Sequence, residues 1–191
     1  LAEVELRMGH LDRGAAAIDR CLASTAGHDG PIEALATALA AEAPDAGYAV
    51  AAALARRAEA AGDHDRALAV MERFAAASPG HVAALEQVVR LCADGFYEDR
   101  RYRAQVKLAD AYLALGRWDD AKALSEALMA LRPDDGAHLD RLTRALEGLG
   151  APGPAAAAKA RQHRAGDSAL ADLIASAASG PEPDAHPHAH A

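Results

Sequence analysis

A block of residues that recurs along this chain constrains its fold more than any other feature of the sequence. In two copies, leucine, alanine, glycine, alanine and proline follow one another at the same internal spacing. Self-similarity of this kind is typical of repeat proteins, whose units bury their apolar faces by stacking on their neighbours. The shared positions are Leu54, Ala55, Gly62, Ala67 and Pro79 in one copy, and Leu108, Ala109, Gly116, Ala121 and Pro133 in the other.

The second copy carries two apolar patterns with the period of an α-helix. Apolar residues stand at i, i+4, i+7 and i+11 from Tyr102, and at i, i+3, i+6, i+10 and i+13 from Trp118. Each pattern places one apolar stripe on a helix. Gly116 between them favours a left-handed end to the first helix, and Pro133 blocks continuation of the second. Each copy therefore predicts two helices joined by a tight turn.

The copies are unevenly spaced along the chain. The two best, at 48–81 and 102–135, lie 54 residues apart, whereas a third at 136–169 follows after 34, and a partial copy covers 1–28. Apolar runs between the copies predict additional helices. The complete prediction is eleven helices of alternating direction, near 1–8, 12–25, 31–43, 46–61, 64–77, 81–94, 98–115, 118–131, 136–149, 152–164 and 168–178.

The two ends of the chain differ from its middle. The chain starts inside the partial copy, so we expect that a further segment precedes Leu1. The helix at 168–178 is predicted to cap the last exposed apolar face of the array. Residues 180–191 contain three prolines and no apolar period, which predicts a disordered tail. The predicted organisation is one all-α repeat domain at 1–179 followed by this tail.

Composition agrees with closely packed helices and excludes several classes of function. Hydrophobic residues make up 51% of the chain and aromatic residues 4%, and the abundant alanine is the best helix former. The 28 acidic and 20 basic residues give a formal charge of −8, which disfavours nucleic-acid binding. No apolar run approaches the roughly 20 residues of a membrane span. Cys21 and Cys92 lie among apolar helix residues and are predicted to be reduced core side chains.

The best copy resembles the tetratricopeptide repeat (TPR), in a degenerate form of the bacterial type. It departs from the consensus at Gln105, where tryptophan is expected, and at Ser125, where phenylalanine is expected. The resemblance implies an α-solenoid of antiparallel TPR-like helix pairs with a C-terminal capping helix. The first helix of each pair would line a groove, and the repeated alanines would lie at close helix contacts. The matching positions are Leu108, Ala109, Tyr112, Ala121 and Pro133.

Five basic residues recur on helices that the resemblance assigns to the groove. Two of them are four residues apart and share a helical face, two lie one repeat later, and one lies one repeat earlier. Such a row would bind an acidic peptide or a terminal carboxylate. The alternative is a solvated face on which these residues pair with nearby acids such as Asp110 and Glu147. The five residues are Arg103 and Lys107, Arg141 and Arg144, and Arg56.

Residues that could carry catalysis or bind a metal form no recognisable motif. The sequence has no phosphate-binding loop, dinucleotide fingerprint, nucleophile elbow or paired-cysteine zinc motif. His186, His188 and His190 alternate in the tail and are weak metal candidates, since no framework fixes their geometry. Asp135 before His138 is better explained as a helix cap than as an acid–histidine site. We therefore expect no enzymatic activity and no cofactor.

The function that these features favour is a cytoplasmic scaffold or adaptor that binds a peptide segment of a partner protein in a TPR groove. The favoured ligand is acidic, and neither nucleic acid nor a membrane is an expected partner. The alternative is that the chain is the accessory TPR region of a larger enzyme whose catalytic domain lies upstream of Leu1. A third class, a metal-handling protein, would depend on the tail histidines.

Overall fold

The structure is a computed structural model that describes residues 1–24 and 29–151. Within these ranges the regular elements are all helices, and no strand is present. The nine helices described are α1 (Ala2–Arg7), α2 (Leu11–Ser24), α3 (Asp29–Glu42), α4 (Pro44–Ala60), α5 (His64–Ala77), α6 (Val82–Asp94), α7 (Glu98–Ala114), α8 (Trp118–Leu131) and α9 (Gly136–Gly148).

Helices that are neighbours in sequence pack against one another. From α3 to α9 each helix contacts the next, α1 contacts α2, and further contacts join α2 to α4, α3 to α5 and α7 to α9. Connections of one to four residues separate the helices from α3 onward. Connections this short reverse the direction of the chain, so successive helices run antiparallel. The predicted all-α class is confirmed for the described residues.

The predicted helix boundaries agree with the structure to within two residues for all nine helices. The agreement follows from the local signals that end each helix, chiefly glycine and proline. The last two predicted helices, at 152–164 and 168–178, and the tail at 180–191 lie outside the described residues. The same holds for the second half of the copy at 136–169.

The repeating unit of the described chain has three helices. Helices α4, α5 and α6 begin at residues 44, 64 and 82, and α7, α8 and α9 begin at 98, 118 and 136, each 54 residues later. Their last residues, 60, 77 and 94, are likewise followed by 114, 131 and 148. From the sequence, α6 was predicted to be an addition between two helix pairs. In the structure α6 and α9 are instead the third members of two equivalent units.

Left-handed residues end the helices at equivalent points of these units. Gly62 (φ 76°) and Gly116 (φ 69°) follow the first helix of each unit. In both turns a backbone N–H bonds to the carbonyl five residues earlier, as in Asp63 N to Ala58 O at 2.9 Å. This is the Schellman pattern, in which glycine takes up the left-handed conformation at no steric cost.

The turn after the third helix of each unit also contains a left-handed residue, which is phenylalanine in the first unit and glycine in the second. Phe96 has φ 60°, whereas Gly150, 54 residues later, has φ 71°. The preceding Gly95 does not have a left-handed φ and is constrained by packing instead, because a Cβ there would lie 2.2 Å from the ring of Tyr97. The Tyr97 hydroxyl in turn donates to Asp65 on α5. Packing of Tyr97 therefore favours glycine at 95, whereas Phe96 takes up the left-handed conformation despite its Cβ.

Replacing Phe96 with glycine should raise the free energy of unfolding by about 0.5–1 kcal/mol. A left-handed conformation costs a residue with a Cβ about 1–2 kcal/mol, and the greater freedom of glycine in the unfolded chain offsets part of the gain. Phe96 is 86% exposed, so little packing is lost. Urea denaturation measures the change. The control is Phe96→Ala, which keeps a Cβ and should not raise the free energy of unfolding. An equal increase in both variants would show that the left-handed conformation of Phe96 is not strained.

The repeated alanines occupy the positions that the alignment predicts. Ala55, Ala67, Ala109 and Ala121 are each 0% exposed. Small side chains at these positions allow neighbouring helix backbones to approach closely, because nothing larger than a methyl group separates them. The burial of all four is confirmed, and it supports the sequence alignment on which the two copies were defined.

The remaining general predictions concern cysteines and membranes. Cys92 is buried and Cys21 is half-buried, and both are free thiols, as predicted for core side chains. Burial raises the pKa of the Cys92 thiol. Among the described helices, none is both long enough and apolar enough to cross a membrane.

Candidate functional site

A cavity of about 610 Å³ opens between α5, α6, α7 and α9. Its floor is apolar and consists of Ala75 on α5, Leu85 and Val88 on α6, and Ala104 on α7. These four side chains are at most 7% exposed. Its rim is polar, with charged side chains from α5, α7 and α9. An apolar floor with a few polar groups at the rim, in this range of volume, is typical of a ligand site.

The rim owes its charge mainly to one side of α7. Arg100, Arg103 and Lys107 are spaced at i, i+3 and i+7, and this spacing places them along one face of the helix. The opposite face buries Ala109 and Tyr112 in the core. The apolar stripe on α7 thereby fixes which side chains point into the cavity.

Two of the cations at the rim are neutralised by acidic partners. Arg141 on α9 binds Asp110 through two nitrogens, Nε at 2.8 Å and Nη2 at 3.0 Å. Arg100 binds Glu72 on α5 in the same two-pronged way, with Nε 2.9 Å from Oε1. These hydrogen bonds raise the pKa of both arginines. Both guanidinium groups are therefore held in fixed positions and contribute little net charge.

The other two cations at the rim have no carboxylate partner in the ranges that the structure describes. Arg103 donates from Nε to the backbone carbonyl of Asp99 at 3.2 Å, a contact within its own helix. Neither Arg103 nor Lys107 forms an ion pair with a described residue, and both side chains are exposed. Among the described residues, the rim has four cationic side chains and two acidic ones, Glu72 and Asp135. The cavity is thus positively charged in a chain that is acidic overall.

No protein-family model, curated protein or solved structure matches this chain. Its candidate function therefore depends on the geometry of the cavity.

The structure brings together three of the five basic residues that the sequence singled out. Arg103, Lys107 and Arg141 line the cavity. Arg144 is exposed on α9 and is not among the lining residues. Arg56 lies in a separate shallow depression between α2 and α4, where it pairs with Asp19 at 3.6 Å.

The alternative prediction, a solvated face on which the basic residues pair with nearby acids, fits some of these residues and not others. It fits Arg141 and Arg56, which have acidic partners. It fits neither Arg103 nor Lys107, for which the described residues supply none. The two residues that share a face of α7 are therefore the strongest candidates for contact with a ligand.

A polar network behind the cavity wall was not predicted from the sequence. His138 on α9 is 0% exposed, and its Nε2 lies 2.7 Å from the hydroxyl of Tyr102 on α7. The Tyr102 hydroxyl also lies 3.2 Å from Oδ2 of Asp135. On the other side of the ring, Arg141 Nη1 lies 3.3 Å from His138 Nδ1. Only the placement of Asp135 one turn before His138 signalled part of this network in the sequence.

Asp135 has the capping role that the sequence predicts. Its Oδ1 accepts a hydrogen bond from the backbone N–H of Ala137 at 3.1 Å at the start of α9. This bond lowers the pKa of Asp135, since it favours the charged form. Burial lowers the pKa of His138, and its imidazole is therefore neutral at neutral pH.

Tyr112 belongs to the core and not to the cavity, as the motif implied. It is 8% exposed, and its hydroxyl donates to Glu86 on α6 at 2.8 Å. Burial, followed by this hydrogen bond, raises its pKa to about 12. Arg117 stacks over its ring at 4.4 Å. The residue therefore ties α6 to α7 and to the start of α8.

Metal-ligating side chains do not gather in the described part of the chain: no group of three or more His, Cys, Asp or Glu residues is placed to hold an ion. The tail candidates His186, His188 and His190 lie outside it.

Proposed function

We propose that this chain is a protein-interaction module whose cavity holds a short acidic segment of a partner protein. The observation that carries the proposal is the pair Arg103 and Lys107, two exposed cations without a carboxylate partner among the described residues, above an apolar floor. Their charges are available to a ligand at no cost of breaking an internal ion pair. No catalytic step is assigned to the described residues.

Charge and shape together define the class of ligand. An aliphatic side chain would fill the apolar floor formed around Leu85 and Val88. Carboxylates on either side of it would reach Arg103 and Lys107, which are about one helical turn apart. Arg141, held by Asp110, would offer a further donor. The favoured ligand is therefore a segment in which acidic residues flank an aliphatic one.

The proposal includes the TPR-type α-solenoid that the sequence suggested. Antiparallel packing of successive helices, left-handed glycine turns and fully buried alanines support it. The pairs α4–α5 and α7–α8 would be the TPR-like pairs, and α6 and α9 would complete the two three-helix units. The free cysteines favour the reducing cytoplasm as its location.

A selection of random peptides on the purified full-length chain tests the ligand. Enriched peptides should carry Asp or Glu beside an aliphatic residue, and their affinity can be measured by fluorescence anisotropy. The double variant Arg103→Glu, Lys107→Glu should bind them at least about tenfold more weakly, a loss of about 1.4 kcal/mol. Binding to the parent chain should also weaken as salt rises, because the two cations are exposed.

The matched control for this experiment is the double variant Arg13→Glu, Arg20→Glu. Both residues are exposed on α2, and neither has an ion pair with a described residue. The control therefore changes the net charge equally without touching the cavity and should bind as the parent does. Enrichment of non-acidic peptides, or equal losses in the two double variants, would refute the proposed site.

A further inference from the structure

One buried imidazole contacts three of the residues that line the cavity. His138 lies 2.7 Å from the Tyr102 hydroxyl, 3.3 Å from Arg141 Nη1 and 3.4 Å from Asp135 Oδ2. Tyr102, Arg141 and Asp135 all face the cavity, whereas His138 is 0% exposed and lies behind them. A change in the protonation state of His138 therefore alters the hydrogen bonds of these three lining residues, without direct contact between His138 and a ligand.

The donors and acceptors of this network can be assigned because some groups have only one role. A guanidinium only donates, so His138 Nδ1 accepts from Arg141 and carries no proton. The proton of the neutral imidazole is then on Nε2, which donates to the Tyr102 hydroxyl. Tyr102 in turn donates to the carboxylate of Asp135 at 3.2 Å. The polar atoms of this hydrogen-bonded network, from Arg141 to Asp135, all have hydrogen-bond partners only while His138 is neutral.

One nitrogen of the Arg141 guanidinium is not bound to Asp110. Its Nε and Nη2 bind Asp110 at 2.8 and 3.0 Å, and its Nη1 binds His138. The bond to His138 is therefore the one that can be exchanged while Asp110 holds the rest of the guanidinium in place. The side chain of Arg141 lines the cavity, so a carboxylate bound in the cavity can reach its guanidinium.

We propose that protonation of His138 releases Nη1 of Arg141 to the cavity and thereby strengthens the binding of a carboxylate there. This inference rests on the proposed function and concerns the regulation of the same site. A proton on Nδ1 removes the acceptor of the Arg141 bond and places two cationic groups 3.3 Å apart. A carboxylate in the cavity relieves this repulsion by binding the released nitrogen.

The charged groups around His138 have opposite effects on its protonation. Tyr102 and Asp110 face it from α7, Arg132 from the end of α8, and Asp135 and Arg141 from its own helix. Asp135 and Asp110 favour the imidazolium, whereas Arg141 and Arg132 oppose it. An anion added on the Arg141 side shifts this balance toward protonation. By linkage, lower pH then raises the affinity for the anion.

The direction of the pH dependence follows from the burial of the ring. Burial lowers the pKa of His138 below its usual value, so the network is intact at neutral pH. As pH falls through that lowered value, the imidazolium forms and affinity rises. Glutamate side chains of a ligand stay mostly ionised down to about pH 5, since their ordinary pKa is about 4.3. Affinity is therefore expected to rise as pH falls from 7 to 5, with the rise below the ordinary histidine pKa of about 6.5.

The experiment uses the full-length chain and the peptide acetyl-Glu-Leu-Glu-amide as the probe. Binding should be at least about threefold tighter at pH 5 than at pH 7 for the parent chain, as expected for a coupling of moderate size. The variant His138→Gln keeps a neutral acceptor toward Arg141 and a donor toward Tyr102, and its binding should not depend on pH in this range. His10→Gln, which changes an exposed histidine between α1 and α2, should keep the pH dependence of the parent.

A titration without the probe separates the two proposals. The guanidinium signals of Arg141 in nitrogen-15 NMR should shift with the same midpoint as the imidazole signals of His138. Arg141 signals that stay constant through that midpoint, or probe binding that is equal at both pH values, overturn the inference and leave the proposed site intact. Absence of probe binding at both pH values, with Arg141 still following His138, overturns the proposed site and the inference with it.

Discussion

Replacing Phe74 with alanine should lower the free energy of unfolding by about 4 kcal/mol, the usual cost of removing a buried phenylalanine ring. Phe74 on α5 is 2% exposed. Its ring lies 6.2 Å from that of Tyr48 on α4 and 5.4 Å from that of His81, the residue that caps α6. One side chain therefore joins all three helices of its unit. Urea denaturation followed by circular dichroism measures the loss.

The matched control is Phe96→Ala, which removes the same atoms from a side chain that is 86% exposed. It should change the free energy of unfolding by less than about 0.5 kcal/mol, as surface substitutions usually do. Similar losses in the two variants would show that Phe74 does not hold the three helices together.

The helices were predictable because their signals are local. Gly62 and Gly116 end helices in the left-handed conformation that the sequence assigned to them, and Pro133 follows the end of α8. Each signal acts within one turn of its residue. The packing of consecutive helices was predictable for a similar reason, since a short connection places each helix beside the next one.

The three-helix unit was harder to predict, because the TPR pattern describes pairs. The 54-residue shift that relates the helices also shows that the two cations of the cavity have no basic counterparts in the preceding unit. Arg103 and Lys107 correspond to Ala49 and Ala53 in that unit. Arg56 corresponds to Asp110. The expected recurrence of basic residues therefore does not extend to Arg56. The cavity lies between the first unit, which supplies α5 and α6, and the second unit, which supplies α7 and α9.

Within the site, local spacing was again the part that could be predicted. Arg103 and Lys107 share a face of α7 because residues four apart always do on a helix. Arg141 meets them only because α9 packs against α7, a contact between residues more than 30 positions apart. The approach of His138 to Tyr102 depends on the same contact. No periodicity in the sequence encodes such a distance, so the network could be found only in the structure.

Replacing Gly47 with alanine should lower the free energy of unfolding by about 2–3 kcal/mol, the usual range for overpacking. One residue, Ala43, connects α3 to α4, and the two helices therefore lie close together at this end. A Cβ at position 47 would lie 2.8 Å from the ring of Phe74 and 2.9 Å from the carbonyl oxygen of Ala36. The second contact is with the backbone, which cannot rotate away, so α3 itself would have to shift.

The control for this variant is Gly80→Ala in the turn between α5 and α6. A Cβ there meets no atom within 4 Å, and the residue does not have the left-handed φ that would strain an alanine. It should leave stability unchanged or raise it by about 0.5 kcal/mol, because alanine reduces the freedom of the unfolded chain. The two substitutions are chemically identical, so their difference in urea denaturation isolates the contacts of the added Cβ with Phe74 and with the backbone of α3. Stability losses that are equal in both variants would show that the two helices are not in close contact at Gly47.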